Sequence, residues 1–346
     1  MWFSKQHYAF ELSKLGNEVY FINPTSKWRL RSLFSFNVHI KQEKKNLYIL
    51  SYKNNFPQYL FTKFFTFLND TLNFRKIYKS INTTNKNIIW WKFEPYRFIK
   101  TKINKHQKTI YHLVDPYNFL WQDKYQVKNA DLIVCTNPKY SELYIKKYPQ
   151  SNLIDIPHGI SDDEFTCDLA KVESIKKLFG NFLILIGSIS KDLNIDLLEF
   201  LAENNIKLVI LGTETHNHEK WLKTTNHKNI EYLGQVHAKE IKNYIAASCA
   251  GLIAYNFKNY VDENSRTPLK IINYLAQKKP IITSLKTTLH LLENNCIYNA
   301  FSKDKYLDLS SQALNNKLDV NNQLVEDFLN EHKYPKLINK IFNHLA

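Results

Sequence analysis

An α/β protein built on parallel, doubly wound sheets is predicted by three features of the sequence. Short β-branched and aromatic runs recur at 18–23, 87–91, 109–114, 130–136, 152–156, 182–188, 207–212, 229–234, 251–255 and 281–283, with helical periodicity between several of them. Parallel neighbours need a crossover, and a helix is its usual form, so this alternation implies parallel sheets. Secondly, 346 residues suffice for two cores, and charge divides the chain: residues 1–150 hold 25 Lys+Arg against 9 Asp+Glu, the other 196 hold 22 against 23. Thirdly, strands of the second half end at Gly187, Gly212 and Gly234, where a sheet of this type collects ligands.

Composition narrows the classes. At 44% apolar and 23% charged the chain is globular material without a disorder signature. Cys135, Cys167, Cys249 and Cys296 form no C-x-x-C pair, so free thiols in a reducing cytoplasm are expected and a metal site is not. No apolar run approaches the ~20 residues of a membrane span, and the N-terminus carries no stretch resembling a signal peptide. The net charge of +15 resides in the first half, which points to an anionic partner: a membrane surface, a nucleic acid or an acidic acceptor. No recognisable nucleic-acid module accompanies it, so no specific nucleic acid is expected.

In the first half, residues 4–15 read as a helix closed by Gly16-Asn17, and residues 18–23 as a buried strand stopped by Pro24. Residues 56–79 place Leu60, Phe61, Phe64, Phe65, Leu68 and Leu72 on one helical face. Such a face suits a core helix. It also suits an interfacial helix whose Lys63, Arg75, Lys76 and Lys79 meet anionic lipid. His112 and Asp115 end the strand at 109–114, facing a ligand cleft as the nearest candidates for a catalytic general base, or serving as a strand histidine and a turn residue before Pro116.

The basic excess stops near Ile156-Pro157-His158-Gly159-Ile160, which places a domain boundary within 150–175; a residue at His158 tolerates positive φ before Gly159. Beyond it, FLILIGS reaches Gly187 and Ser188, and Lys191 in the next loop is placed to reach a phosphate. Gly234 and Gln235 close another strand. The richest stretch is NSRTPLKIINYLAQKKPIITS, residues 264–284. Small polar residues, including Ser265 and Thr267, lead to Pro268, which fits the first turn of a helix running through Leu269, Lys270 and Asn273. A helix start leaves backbone N–H groups free, and Arg266 and Lys270 add positive charge beside them. This is a candidate phosphate or diphosphate site. Residues 321–345 read as one amphipathic tail helix.

Pro268-Leu269-Lys270, Asn273-Tyr274-Leu275-Ala276 and Lys279-Pro280-Ile281-Ile282 resemble the donor-site signature P-L-K-x-x-E-Y-L-A-x-G-K-P-V-V of family 4 retaining GT-B glycosyltransferases, most closely the branch that builds surface polysaccharides such as teichuronic acid. The resemblance extends to Trp2, Lys5, Gln6 and His7, to Asp115, to the segment 156–165 and to Gly234-Gln235-Val236. It implies two Rossmann-like domains facing a cleft: residues 1–158 on the acceptor side, 159–328 for the donor, and a C-terminal helix, 329–346, crossing back to the first. It further implies sugar transfer from a nucleotide-diphospho-sugar to a glycan or lipid-linked acceptor, with the diphosphate at the helix start and no metal or other cofactor. Free thiols and the basic first half lead to the expectation of a cytoplasmic protein, peripheral at the inner face of a membrane where that half meets anionic lipid. Asn273 stands where the signature has Glu for the ribose hydroxyls, Ser265 where it has an earlier acid, and Lys278 where it has Gly. A strand and loop that open the family's first domain have no counterpart ahead of residue 4. The other reading is a catalytically inactive GT-B protein that binds a nucleotide-sugar or a partner.

Overall fold

A computed structural model describes residues 4–26, 28–57, 62–81, 83, 86–99, 107–115, 117–216, 219–256, 268–285 and 289–345. The chain folds as two compact units, one formed by Phe3–Pro157 with Tyr334–Ala346, the other containing His158–Lys333.

The first unit opens with helix α1 (Ser4–Lys14), strand β1 (Val19–Ile22) and a hairpin of β2 (His39–Lys44) and β3 (Leu47–Ser51). β1 pairs in parallel with β3, and β2 pairs antiparallel with it. Helix α2 (Thr62–Ser80) leads to β4 (Ile88–Lys92) and β5 (Gln107–Leu113). Next come α3 (Asp123–Asn129), β6 (Leu132–Cys135), α4 (Pro138–Lys147) and β7 (Leu153–Asp155). Strands β4-β5-β6-β7 make a second, parallel sheet. Alternate residues of β5 and β6 serve its two faces. Ile110, Leu132 and Val134 pack with Tyr8 of α1, while Tyr111, Ile133 and Cys135 pack with Val127, Tyr140 and Tyr144 of α3 and α4.

The face of α2 differs from the one its aromatics suggest. Phe64 is exposed, and the inward stripe is Thr66, Asn69, Asp70, Asn73, Phe74, Lys76 and Ile77. Polar groups take the inner positions because irregular backbone beneath them needs partners. Asn69 accepts from Phe56 N at 2.9 Å and donates back to Phe56 O, Asp70 accepts from Ile99 N at 2.7 Å, and Lys76 Nζ donates to Ser35 O at 2.7 Å. Burial pushes the Asp70 carboxyl up to about 6 and holds the Lys76 ammonium below its usual range. Lys76 therefore serves the interior, leaving Lys63, Arg75 and Lys79 exposed; Leu60 and Phe61 lie outside the described residues.

The second unit holds α5 (Leu169–Phe179), β8 (Leu183–Ile186), α6 (Ile195–Glu203), β9 (Leu208–Leu211), α7 (Trp221–Thr225), β10 (Ile230–Tyr232), α8 (Ala238–Ala247) and β11 (Ala250–Ile253). After these follow α9 (Leu269–Ala276), β12 (Ile281–Thr283), β13 (Ile297–Asn299), α10 (Lys303–Leu314) and α11 (Asn322–Glu331). Its six strands are all parallel, in the order β10-β9-β8-β11-β12-β13. Renumbered from β8, this is the 3-2-1-4-5-6 order of a nucleotide-binding Rossmann sheet, reversing between β8 and β11. Ile184 and Ile186 face α5, α8, α9 and α11; Leu183 and Leu185 face α6, α7 and α10.

Two local expectations are corrected. Neither His158 nor Gly159 has positive φ; His158 is instead half-buried beside His332, and burial followed by that neighbour's charge lowers its pKa to about 4, so the ring is neutral at pH 7. The tail is two helices, α11 and α12 (Tyr334–Leu345), interrupted at His332-Lys333. α12 belongs to the first unit, where Leu337, Ile338, Ile341 and Leu345 pack with Tyr8, Ile110 and Leu132. This is the crossing back that the resemblance implies.

Candidate functional site

Three strands of the second unit end side by side at glycines, and backbone bonds fix their spacing. Gly187 N donates to Leu211 O at 2.9 Å, and Gly212 N to Gly234 O at 2.8 Å. The glycines are required for two different reasons. Gly187 (φ 129°) and Gly234 (φ 64°) adopt left-handed backbone. Gly212 has no room for a side chain, because a Cβ there would stand 1.7 Å from Gly187 O.

Helix α9 brings charge to this rim. A Cβ added at Gly187 would lie 3.0 Å from Lys270 Nζ, so the missing side chain leaves space that the ammonium uses. The same ammonium sits 4.7 Å over the Tyr255 ring and, among the described residues, forms no ion pair. Pro268 is the N-cap of α9 (φ −65°, ψ 148°), one position ahead of the first-turn placement expected, and among the described residues no side chain caps the helix. Leu269 and Lys270 thus begin the helix with N–H groups that no described side chain caps, beside a cation. Asn273, half-buried, stands one turn beyond Lys270 on the same face.

Tyr274 anchors the helix. Its buried hydroxyl accepts from Ile186 N at 3.1 Å and lies 3.3 Å from the carbonyls of Ile184 and Leu252. Its ring also occupies the space above Gly251, where a Cβ would lie 2.4 Å from it. At the other end Lys278 takes φ 52°, the left-handed position for which the signature uses glycine.

The remaining candidates distribute as follows. Ser188 and Lys191 are exposed on the loop after β8, and Asn194 of that loop caps α6 by accepting from Leu197 N at 3.1 Å. Gln235 is exposed beyond Gly234. Ser265, Arg266 and Thr267 lie outside the described residues. His112 and Asp115 belong to the first unit. His112 is fully buried: Trp91 Nε1 donates to its Nδ1 at 3.2 Å, and its ring stacks on Phe93 at 4.8 Å. It is a packed strand histidine, so its expected place on a cleft gives way to the interior, while Asp115 is exposed. Tyr255 is a site residue that the sequence reading did not single out, and Tyr274 was named only as part of the signature, without a role of its own. Their signal was faint, because aromatics at strand ends and on helices usually fill cores.

No protein-family model and no curated protein matches the sequence. Solved structures do match. Sucrose-phosphate synthase from Thermosynechococcus elongatus is similar over 99% of this chain and 92% of its own, at 12% identity and TM-score 0.69. An α,α-trehalose-phosphate synthase (UDP-forming) from Burkholderia vietnamiensis is similar over 99% and 94%, at 9% identity and TM-score 0.65. WaaG, a glycosyltransferase involved in lipopolysaccharide biosynthesis, is similar over 95% and 90%, at 12% identity and TM-score 0.61. The fold class is therefore GT-B, that of these glycosyltransferases.

Proposed function

We propose that the protein is a retaining glycosyltransferase moving a sugar from a nucleotide-diphospho-sugar to a surface polysaccharide or lipid-linked acceptor. The observation that carries this reading is the convergence of Lys270 Nζ, Gly187 and the start of α9, which no described side chain caps, at the switch point of a Rossmann sheet. Departure of a nucleoside diphosphate develops negative charge, and fixed N–H dipoles with a nearby ammonium favour that charge without reorganising. The family 4 resemblance assigns Arg266 to the same work, the Asn273 amide to the ribose hydroxyls, Gly234 and Gln235 to the base, and Ser188 and Lys191 to the approach of the phosphates. The similar structures support glycosyl transfer in general: one is named for forming UDP, another for lipopolysaccharide biosynthesis. Asp115, exposed beyond β5, is the carboxylate offered to the acceptor.

A thermal-shift screen with UDP-, GDP- and ADP-sugars tests donor binding. A ligand at a hundred times its Kd stabilises by about 2.7 kcal/mol, so one nucleotide class is expected to raise the melting temperature by several degrees. Slow donor hydrolysis is expected of the wild type and faster hydrolysis of Asn273→Glu; silence in both, with binding retained, would replace the enzyme by a binding protein.

The acceptor side of this proposal is an anionic membrane surface. Leu30, Phe34 and Phe36 are 75%, 80% and 63% exposed, and exposed Arg29 and Arg31 flank them, a pairing suited to the headgroup layer. Among the described residues no helix is long and apolar enough to cross a membrane. Co-sedimentation with phosphatidylglycerol vesicles is expected, weakened by salt and by replacing the three apolar residues with Ser. Equal recovery with phosphatidylcholine alone would refute it.

A further inference from the structure

Strand β8 keeps its pairing with β9 up to Ile186 and Leu211, and β11 keeps its pairing with β12 up to Ile253 and Thr283. Between β8 and β11 the register stops earlier, at Ile184 and Gly251. The sheet therefore parts along the line where its strand order reverses, while the strands on either side of that line stay paired.

A specific group stands in the gap. Leu183 N serves β9 by donating to Lys207 O at 2.9 Å, and alternate residues of a parallel strand bond to opposite neighbours. Ile184 and Ile186 therefore turn their peptide groups towards β11, and the rung after the last register pair is Ile186 N to Leu252 O. The Tyr274 hydroxyl occupies that rung. It accepts from Ile186 N at 3.1 Å and lies 3.3 Å from Leu252 O, with Ile184 O also at 3.3 Å. A phenol both accepts and donates, so it satisfies backbone groups of both strands while keeping them one atom further apart. The ring reaches this depth through the space that Gly251 leaves, where a Cβ would lie 2.4 Å from it.

Beyond the gap the chain closes again. Asn194 N donates to Ala254 O at 3.1 Å and Asn256 N to Asp192 O at 2.8 Å, joining the loop after β8 to the segment after β11. The opening is thus bounded at both ends. Gly187 follows Ile186 at its margin, with Lys270 Nζ 3.0 Å from the Cβ position there. Lys270 and Tyr274 are one turn apart on α9, so the seat of the hydroxyl also sets how far the ammonium reaches.

We propose that Tyr274 is a positioning residue, a hydroxyl wedge that holds β8 and β11 apart so that the diphosphate of a donor reaches Gly187 and Lys270. The donor's part in this rests on the proposed glycosyl transfer; the parting of the strands does not. Without the hydroxyl, Ile186 N and Leu252 O are buried donor and acceptor facing each other, and leaving either unpaired is costly. The strands then draw together, complete the rung and narrow the opening.

Tyr274→Phe keeps the ring above Gly251 and removes the hydroxyl alone. Tyr306→Phe is the control: its buried hydroxyl donates at 2.8 Å to Ile253 O, a carbonyl of the same strand that alternation turns away from β8. Scalar coupling across hydrogen bonds, read by NMR on the deuterated full chain without nucleotide, supplies the direct test. Coupling between Ile186 N and the Leu252 carbonyl is expected in Tyr274→Phe and in neither the wild type nor Tyr306→Phe. Both variants are expected to melt a few degrees lower, since each loses a buried hydrogen bond. In calorimetry with UDP, GDP and ADP, affinity is expected to fall about tenfold in Tyr274→Phe alone. The coupling in wild type, or equal affinities in the two variants that bind, would overturn the wedge. Binding of none of the three nucleotides by wild type, with the coupling confined to Tyr274→Phe, would remove the donor and support the parted strands. Even with an insoluble variant the wild-type spectrum decides: a Tyr274 hydroxyl proton with a cross-peak to the Ile186 amide supports the wedge, and a direct Ile186–Leu252 coupling overturns it.

Discussion

Gly212→Ala is expected to destabilise the donor-side unit by at least about 3 kcal/mol and to abolish nucleotide binding. A new Cβ would stand 1.7 Å from Gly187 O and 2.7 Å from Gly187 C, both backbone atoms, so relief requires moving the loop after β8 rather than a side chain. That loop is tied down: Gly187 N bonds to Leu211 O at 2.9 Å and Ile189 N to Thr213 O at 3.0 Å. For a unit of this size the cost corresponds to a melting temperature lowered by about 6–12 °C. Gly234→Ala is the internal comparison. Nothing lies within 4 Å of its added Cβ, and only its φ of 64° opposes the change, so a loss of about 1 kcal/mol is expected. Unfolding monitored by circular dichroism separates the two; comparable losses would show that close approach of the backbones at Gly187 is not what Gly212 provides.

The same comparison shows what the sequence could disclose. Strands with continuous apolar runs, such as β8 and β9, were legible because a parallel sheet buries both faces. Glycine at the ends of these strands was legible as well, but which glycines are fixed by φ and which by contact is a property of neighbouring strands, not of local sequence. β2 was invisible: His39–Lys44 reads HIKQEK, exposed along nearly its whole length, and its pairing comes from β3 and the turn at Asn46 (φ 61°). The face of α2 was misread for a related reason. Periodicity locates apolar stripes, whereas this helix turns Asn69, Asp70 and Lys76 inward to satisfy backbone groups contributed by residues distant in sequence, and Asn73 inward to donate to Asn54 Oδ1. His112 was ambiguous from sequence because a strand end can face ligand or core, and only the packing of Tyr8, Trp91 and Phe93 around it decides.

Lys270→Ala is expected to weaken nucleoside-diphosphate binding about tenfold or more while leaving the melting temperature unchanged. The first expectation follows from the worth of a hydrogen bond to a charged group, about 1.5–3 kcal/mol, which is lost when the ammonium goes. The second follows from its surroundings. Among the described residues Lys270 forms no ion pair, and α9 is held by the buried side chains of Ile271, Ile272, Tyr274 and Leu275. Lys270→Arg should restore charge but only part of the affinity. The lysine tip already lies 3.0 Å from the Cβ position at Gly187, and a planar guanidinium needs more room than a tapered ammonium. Calorimetry at two salt concentrations supplies the check, since the lysine's share should shrink as ionic strength rises. Affinity equal to wild type in the alanine variant would remove the anion from the start of α9, and with it the reason for placing a sugar donor there.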